Sequence, residues 1–402
     1  MSTYHKSVLL DKGVHFKDVH SVYIEQSVNP ERIEPGVLIY PGCRLMGSQL
    51  AMRAGCVIGA EAPATVNNCQ LSKKVQLKGG YYEGSVFLQG ASTGSAAHVR
   101  PGCLLEEEAN VAHAVGLKQT ILMSFVTGGS LLNFCDILMA GGRSRTNHSE
   151  IGSSYIHFNF TPHGDKATAS LVGDVPRGVL LDNEPIFLGG QGGLVGPADV
   201  TYGVVIPAGQ IFRGQAENEN HVCTSGTLKK MSTPYDTRVY KKIDRLVERN
   251  LRYLGNVYAL REWYIAIRQP YMVETGDQAC YEGTLRVFNI IIDERVKRLE
   301  QFATLLVPSI DALQSKGGNE VLIEEQRRFV KAWPELKARI VGLVNQQQSY
   351  DQASVVLQAL ECEASVSFAD RVRTLTPELK ATVVAWLSDR VQNVMGLAHV
   401  NE

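Results

Sequence analysis

Residues 99–123 read VRPGCLLEEEANVAHAVGLKQTILM. Val99, Leu105, Val111, Leu117 and Met123 stand six residues apart in it, with Gly102 and Gly116 close to these positions. A helix repeats its apolar face every 3.6 residues and a half-buried strand every two, so a period of six belongs to neither. It fits a coil of short flat faces, in which each face gives one inward side chain and each corner takes small residues or positive φ. Three faces close a triangular prism at about 18 residues per coil, and stacked coils bury one continuous apolar column.

The same period links Ile33, Ile39, Leu45, Ala51 and Val57, and again Leu194, Val200, Ile206 and Phe212. It is broken over residues 61–97 and 124–193. Long insertions in a solenoid map to loops on one face, often the binding face. Near residue 230 glycine thins out, Arg, Lys and Glu become dense, and apolar residues recur at three and four, the spacing of helices. The reading is therefore a mainly β fold plus α: an N-terminal segment 1–30, a parallel β-helix 31–215, a linker 216–233 and a helical bundle 234–402. In STPYDTRVYKKIDRLVERNLRYL, Thr233 serves as N-cap, Pro234 as first helical residue and Asp236 as third. A second helix carries the stripe Leu285 to Phe302 and ends before SKGGNE. A third starts near Asn319, a fourth covers roughly 349–363, and a last begins at Thr376 with Pro377 in its first turn. The bundle is expected to cap the open end of the β-helix or to add contacts between protomers.

The 402 residues are 44% hydrophobic and 20% charged with a net charge of −1, which points to neither a nucleic-acid nor a membrane partner. The eight cysteines form no CxxC pair, so reduced thiols in a cytoplasmic protein are expected. MSTYHKSVLLDKGVHFKDVH lacks the apolar core of a signal peptide, and no run reaches about 18 apolar residues.

The repeat resembles the hexapeptide-repeat, left-handed parallel β-helix family; the left hand is what the resemblance implies, not the spacing. Residues 133–214 resemble the acetyltransferase half of the bifunctional N-acetylglucosamine-1-phosphate uridyltransferase/glucosamine-1-phosphate acetyltransferase. They carry Asn133-Phe134, then His148, then Asn159-Phe160 followed by TPHGDKATASLVGD. His148 and Asn159 are 11 residues apart, less than in that family, so either one serves as the anchor of the comparison. No GxGTRM-like loop lies near the N-terminus, and the uridyltransferase half is expected to be absent.

The resemblance implies an acyl-CoA-dependent N-acyltransferase for an amino-sugar phosphate or nucleotide sugar, with acetyl-CoA as donor and a homotrimer as the working form. A neutral imidazole takes a proton from an amine as it attacks a thioester, which assigns His148 as base with Glu150 or Asn147 orienting it. Asn133 and Asn159 would hold the substrate, Arg143, Arg145 and Lys166 its phosphate, and Tyr155 and His157 the sugar. Two other readings stand beside this one. His148, His157 and His163 would suit a zinc hydratase of the carbonic anhydrase type. A solenoid with a helical appendage also suits a non-catalytic trimeric scaffold.

Overall fold

The computed structural model describes residues 2–159, 167–226, 230, 232, 235–344, 351–360 and 367–399. Short parallel strands from His15 to Ala216 wind into a three-faced solenoid. Three inward columns fill it. On the first face the column runs Ile39, Ile58, Leu77, Thr93, Val111, Gly128, Ile151, Leu188 and Ile206. On the second it begins Ile24, Leu45, Val66, Tyr82, Val99, Leu117 and Phe134, and ends His157, Leu194 and Phe212. On the third it runs Met52, Leu71, Phe87, Leu105, Leu122, Met139, Val172 and Val200.

Two details correct the six-residue reading. The phase slips by one at three of the expected positions, where Met52, Ile58 and Leu122 point inward in place of Ala51, Val57 and Met123 respectively. Residues 61–97 hold no long insertion. The break arises because the inward residues Ile58, Val66, Leu71, Leu77, Tyr82, Phe87 and Thr93 stand eight, five, six, five, five and six residues apart, and Tyr82 and Thr93 among them carry hydroxyls. The Tyr82 hydroxyl donates to the Gly79 carbonyl (2.9 Å) and lies 2.5 Å from the Thr93 hydroxyl, which satisfies the polar atoms inside the core.

The third face is buried on both sides. Its outward column, Ala51, Gln70, Val86, Leu104, Ile121, Leu138 and Leu171, is covered. A first helix, α1 (Ser2–Asp11), packs at the N-terminal end of the solenoid, where Leu9 is fully buried and the Lys12 ammonium donates to the Pro30 carbonyl. The cover of the third face comes from α2 (Ile243–Trp263) and α3 (Thr275–Ser315). The C-terminal helices therefore sheathe a side of the prism, and the N-terminal end is closed by α1.

A helix rises about 1.5 Å per residue and stacked strands lie about 4.8 Å apart, so α3 passes one coil roughly every three residues. Its side chains follow that pace. Gly276 lies against Arg53, Gly283 against Gln70 and Val86, Ile290 against Gly102, and Arg295 pairs with Asp136 at 2.7 Å. A Cβ at Gly283 would stand 2.2 Å from the Gln70 Oε1 and 2.9 Å from a Val86 methyl, so this close approach needs glycine.

Outside these, α4 (Glu320–Val344) packs on α3, α5 (Asp351–Leu360) and α6 (Phe368–Arg373) follow, and α7 (Pro377–Met395) packs on α2. Thr376 caps α7 as expected, its hydroxyl accepting from the Leu379 N–H. The expected cap of α2 is not used. Thr233 and Pro234 lie outside the described residues, and Asp236 sits in a loop paired with Arg238 and Lys316. Tyr240 is pinned by its N–H donating to the Ser309 hydroxyl and by its ring against Phe302, and Lys242 adopts φ +58°, so the helix starts at Ile243.

A π-helical turn, Tyr264–Arg268, follows α2. There the Arg268 guanidinium lies 4.7 Å from the Tyr264 ring and 4.6 Å from the Phe368 ring and pairs with Glu106 and Glu107 of the solenoid.

Candidate active site

His148 stands on a hairpin that leaves the solenoid where the third face turns into the first. Gly142–Ser144 and Asn147–His148 pair antiparallel around Arg145-Thr146. The Ser144 hydroxyl accepts from the N–H groups of Thr146 and Asn147, both at 3.2 Å, which closes the turn. Gly142 has φ +104°, and a Cβ there would stand 3.1 Å from the His148 Cα.

The His148 ring is half-buried, and its Nδ1 lies 2.9 Å from the Arg145 carbonyl. A carbonyl only accepts, so Nδ1 carries the proton and Nε2 is the basic nitrogen. Among the described residues Nε2 has no hydrogen-bond partner. The orienting group is thus the Arg145 carbonyl, in place of the expected Glu150 or Asn147. Both of those side chains are exposed, Glu150 on the outer side of the first face between Thr127 and Phe187.

Both arginines are engaged in holding the hairpin. Arg145 donates to the Glu108 carbonyl (3.0 Å) and the Thr127 hydroxyl (3.1 Å), and the amide oxygen of Asn110 accepts from it too. Arg143 donates to the Asp182 carbonyl (2.9 Å) and pairs with Glu184 at 2.7 Å. From the helical side, Arg373 donates to the Arg143 carbonyl and lies over the Phe125 ring, while Lys380 pairs with Asp182. Sequence reasoning missed these supports. Thr127 is in register with Glu150, and Arg145 lies on the hairpin inserted before it, so the coil period carries no signal for this contact.

Two expected substrate contacts belong to the core. Tyr155 is fully buried with its ring edge-on to Phe134, so it cannot stack on a sugar. His157 occupies an inward position in register with Leu194, its Nδ1 2.5 Å from the Cys135 carbonyl and its Nε2 2.8 Å from the Ser170 hydroxyl. With both nitrogens engaged, it can neither contact a sugar nor ligate zinc. His163 and Lys166 lie outside the described residues. Among the described residues no group of three His, Cys, Asp or Glu side chains gathers for a metal.

No protein-family model matches the chain. The bifunctional protein GlmU of Pelobacter propionicus is 27% identical over 202 residues, 50% of this chain and 39% of that protein. GlmU of Thermus thermophilus is 30% identical over 151 residues, 38% of this chain and 31% of that protein. The left-handed solenoid is homologous to the acetyltransferase portion of GlmU-like proteins. The chain spans about two fifths or less of the length of these GlmU relatives. The solved structure of PerB from Caulobacter crescentus, in complex with CoA and GDP-perosamine, matches 30% of this chain and 49% of its own at 18% identity and a TM-score of 0.13, too partial a likeness to bear on function.

Within one chain, the positions expected to form the site do not converge. Asn133 is exposed on the second face, His148 lies at the corner between the third and first faces, and Asn159 ends a strand toward the corner between the second and third. About six extended residues separate neighbouring corners, on the order of 20 Å.

The buried His157 gives a pH test. Burial pushes its pKa down to about 4. Between about pH 6.5 and 4 the unfolded chain therefore binds a proton that the folded chain does not. Its contribution is fully present above pH 6.5, falls as the pH falls and is gone at about pH 4, a loss on the order of 3 kcal/mol. Urea unfolding at pH 7 and pH 5 should show that slope in the wild type and a reduced one in His157→Gln. Equal slopes would contradict it.

Proposed function

We propose that the chain is an acyl-CoA-dependent N-acyltransferase acting on an amino-sugar phosphate or nucleotide sugar, with acetyl-CoA as donor and His148 as general base. The observation that carries this reading is the bond from His148 Nδ1 to the Arg145 carbonyl, which fixes a basic Nε2 on a braced hairpin. The homology of the solenoid to GlmU-like proteins supports the reaction class. In the step, the amine nitrogen attacks the thioester carbonyl while Nε2 takes its proton. The tetrahedral intermediate then expels the CoA thiolate, leaving an amide. Asn147 and Glu150, exposed beside the base, and Asn133, Asn159 and Lys166 of a neighbouring chain are the groups available to hold the acceptor.

That site needs a partner copy, so the reading includes a homotrimer. The helices cover the third face, which leaves the first and second for contact between prisms. The C-terminal coils there expose Ile156 (43%), Phe187 (36%), Val205 (36%) and Ile211 (42%), apolar surface that a closed cyclic assembly would cover. Light scattering at micromolar concentration should give three chains per particle. A monomer would overturn the shared site.

The spread of Asn133, His148 and Asn159 over the prism favours a second reading, a non-catalytic trimeric scaffold. A trimer that forms but transfers no acyl group to any amino-sugar phosphate would put that reading first.

A further inference from the structure

Arg249, on the face of α2 that meets the last coils, is 9% exposed. Its Nη1 donates to the Pro197 carbonyl at 2.6 Å, which fixes the guanidinium. Its Nε and Nη2 are buried and, among the described residues, have no hydrogen-bond partner. Those two N–H groups form the side-on fork of a guanidinium, two parallel donors spaced for two oxygens of one oxyanion. Unpaired buried donors on a cation are costly, and native structures rarely leave them without a reason.

Among the described residues, the acidic neighbours do not supply the missing acceptor. Asp199 pairs with Arg252 at 3.0 Å, and Glu217 and Glu248, which also act on Arg249 through their charge, are exposed. One turn earlier on α2, Arg245 adds a second cation. A Cβ on Gly214 of the last coil would stand 3.1 Å from its Nη2. Burial and the charge of Arg245 hold the Arg249 guanidinium below its ordinary value, at about 10. The helix is clamped in place here, because the Asn250 amide donates to the Ala167 carbonyl (2.9 Å) and to the Leu246 carbonyl (2.8 Å).

We propose that Arg249, with Arg245 beside it, binds a phosphoryl group, whose oxygens complete the unpartnered Nε/Nη2 fork. This goes beyond the acyl-transfer reading and does not rest on it. A phosphoryl group fits because it offers two oxygens to one guanidinium and further charge to a second. Its carrier is either free phosphate or a phosphorylated small molecule.

The test is thermal unfolding of the full chain in inorganic phosphate against sodium chloride of equal ionic strength. A ligand of the folded state raises the midpoint with its concentration. The wild type should shift upward in phosphate. Arg249→Met should lose the shift while its midpoint in chloride is no lower than that of the wild type, since it removes an unpaired buried cation. Arg249→Lys keeps the charge without the fork and should bind phosphate about tenfold more weakly or worse. It carries the test if the methionine variant does not fold. Adenosine 3′,5′-bisphosphate and glucosamine-1-phosphate, run beside inorganic phosphate, identify the carrier. Whichever exceeds it names the class, and if neither does, free phosphate is the ligand. Equal wild-type midpoints in phosphate and chloride, or an unchanged phosphate response in Arg249→Met or Arg249→Lys, would overturn the proposal.

Discussion

His148→Ala should lower the turnover number for acyl transfer by roughly 10²–10⁴ while KM for the sugar substrate stays within about twofold. The expectation follows from the tautomer. The Arg145 carbonyl holds Nδ1–H, so Nε2 is the nitrogen that accepts the proton, and alanine removes it without disturbing a buried contact. The Ser144 hydroxyl keeps the turn closed by accepting from the Thr146 and Asn147 N–H groups, and the variant should fold as the wild type does. Steady-state kinetics with a saturating acyl donor would check this. A variant that retains turnover within about twofold refutes the role of His148.

Arg268→Met should destabilise the chain by about 3–5 kcal/mol, the cost of removing one partner of a buried ionic cluster. Glu106 is almost wholly buried, and its carboxyl is pushed up by burial while Arg268 holds it down. The Tyr264 hydroxyl donates to it at 2.7 Å and the Ser124 N–H at 3.2 Å. Methionine would leave those carboxylates without their cation and would strip the Tyr264 and Phe368 rings of the guanidinium between them. Adding Glu106→Gln and Glu107→Gln should recover much of the loss. Urea midpoints of the helical signal measure both effects. A loss under about 1 kcal/mol for the single variant would show that the cluster does not tie the helices to the solenoid.

The coil architecture was legible because each inward position must be apolar and the positions recur. Leu194, Val200, Ile206 and Phe212 all point inward as their spacing implies. Where the reading failed, the spacing of inward positions had departed from six, as from Ile58 to Phe87, or a polar side chain had filled a column, as Tyr82, Thr93 and His157 do. His157 looked like a site residue because imidazole is polar. Its two hydrogen bonds to the Cys135 carbonyl and the Ser170 hydroxyl make it a satisfied core residue, which sequence spacing does not reveal.

The position of the helices did have a signal. Doublets such as Val86-Phe87, Leu104-Leu105, Ile121-Leu122 and Leu138-Met139 recur on one face, and a strand apolar on both sides is buried on both sides. The braces of the hairpin were harder to read. Arg373 and Lys380 come from helices more than 190 residues away in sequence, with no periodicity to connect them.

The most direct measurement is the release of free thiol from acetyl-CoA by the full chain, with glucosamine-1-phosphate and other amino-sugar phosphates as acceptors. The reading predicts thiol release that requires an amino-sugar acceptor and gives an N-acetylated product. No release with any amino-sugar phosphate or amino nucleotide sugar, from a preparation shown to be trimeric, would contradict it.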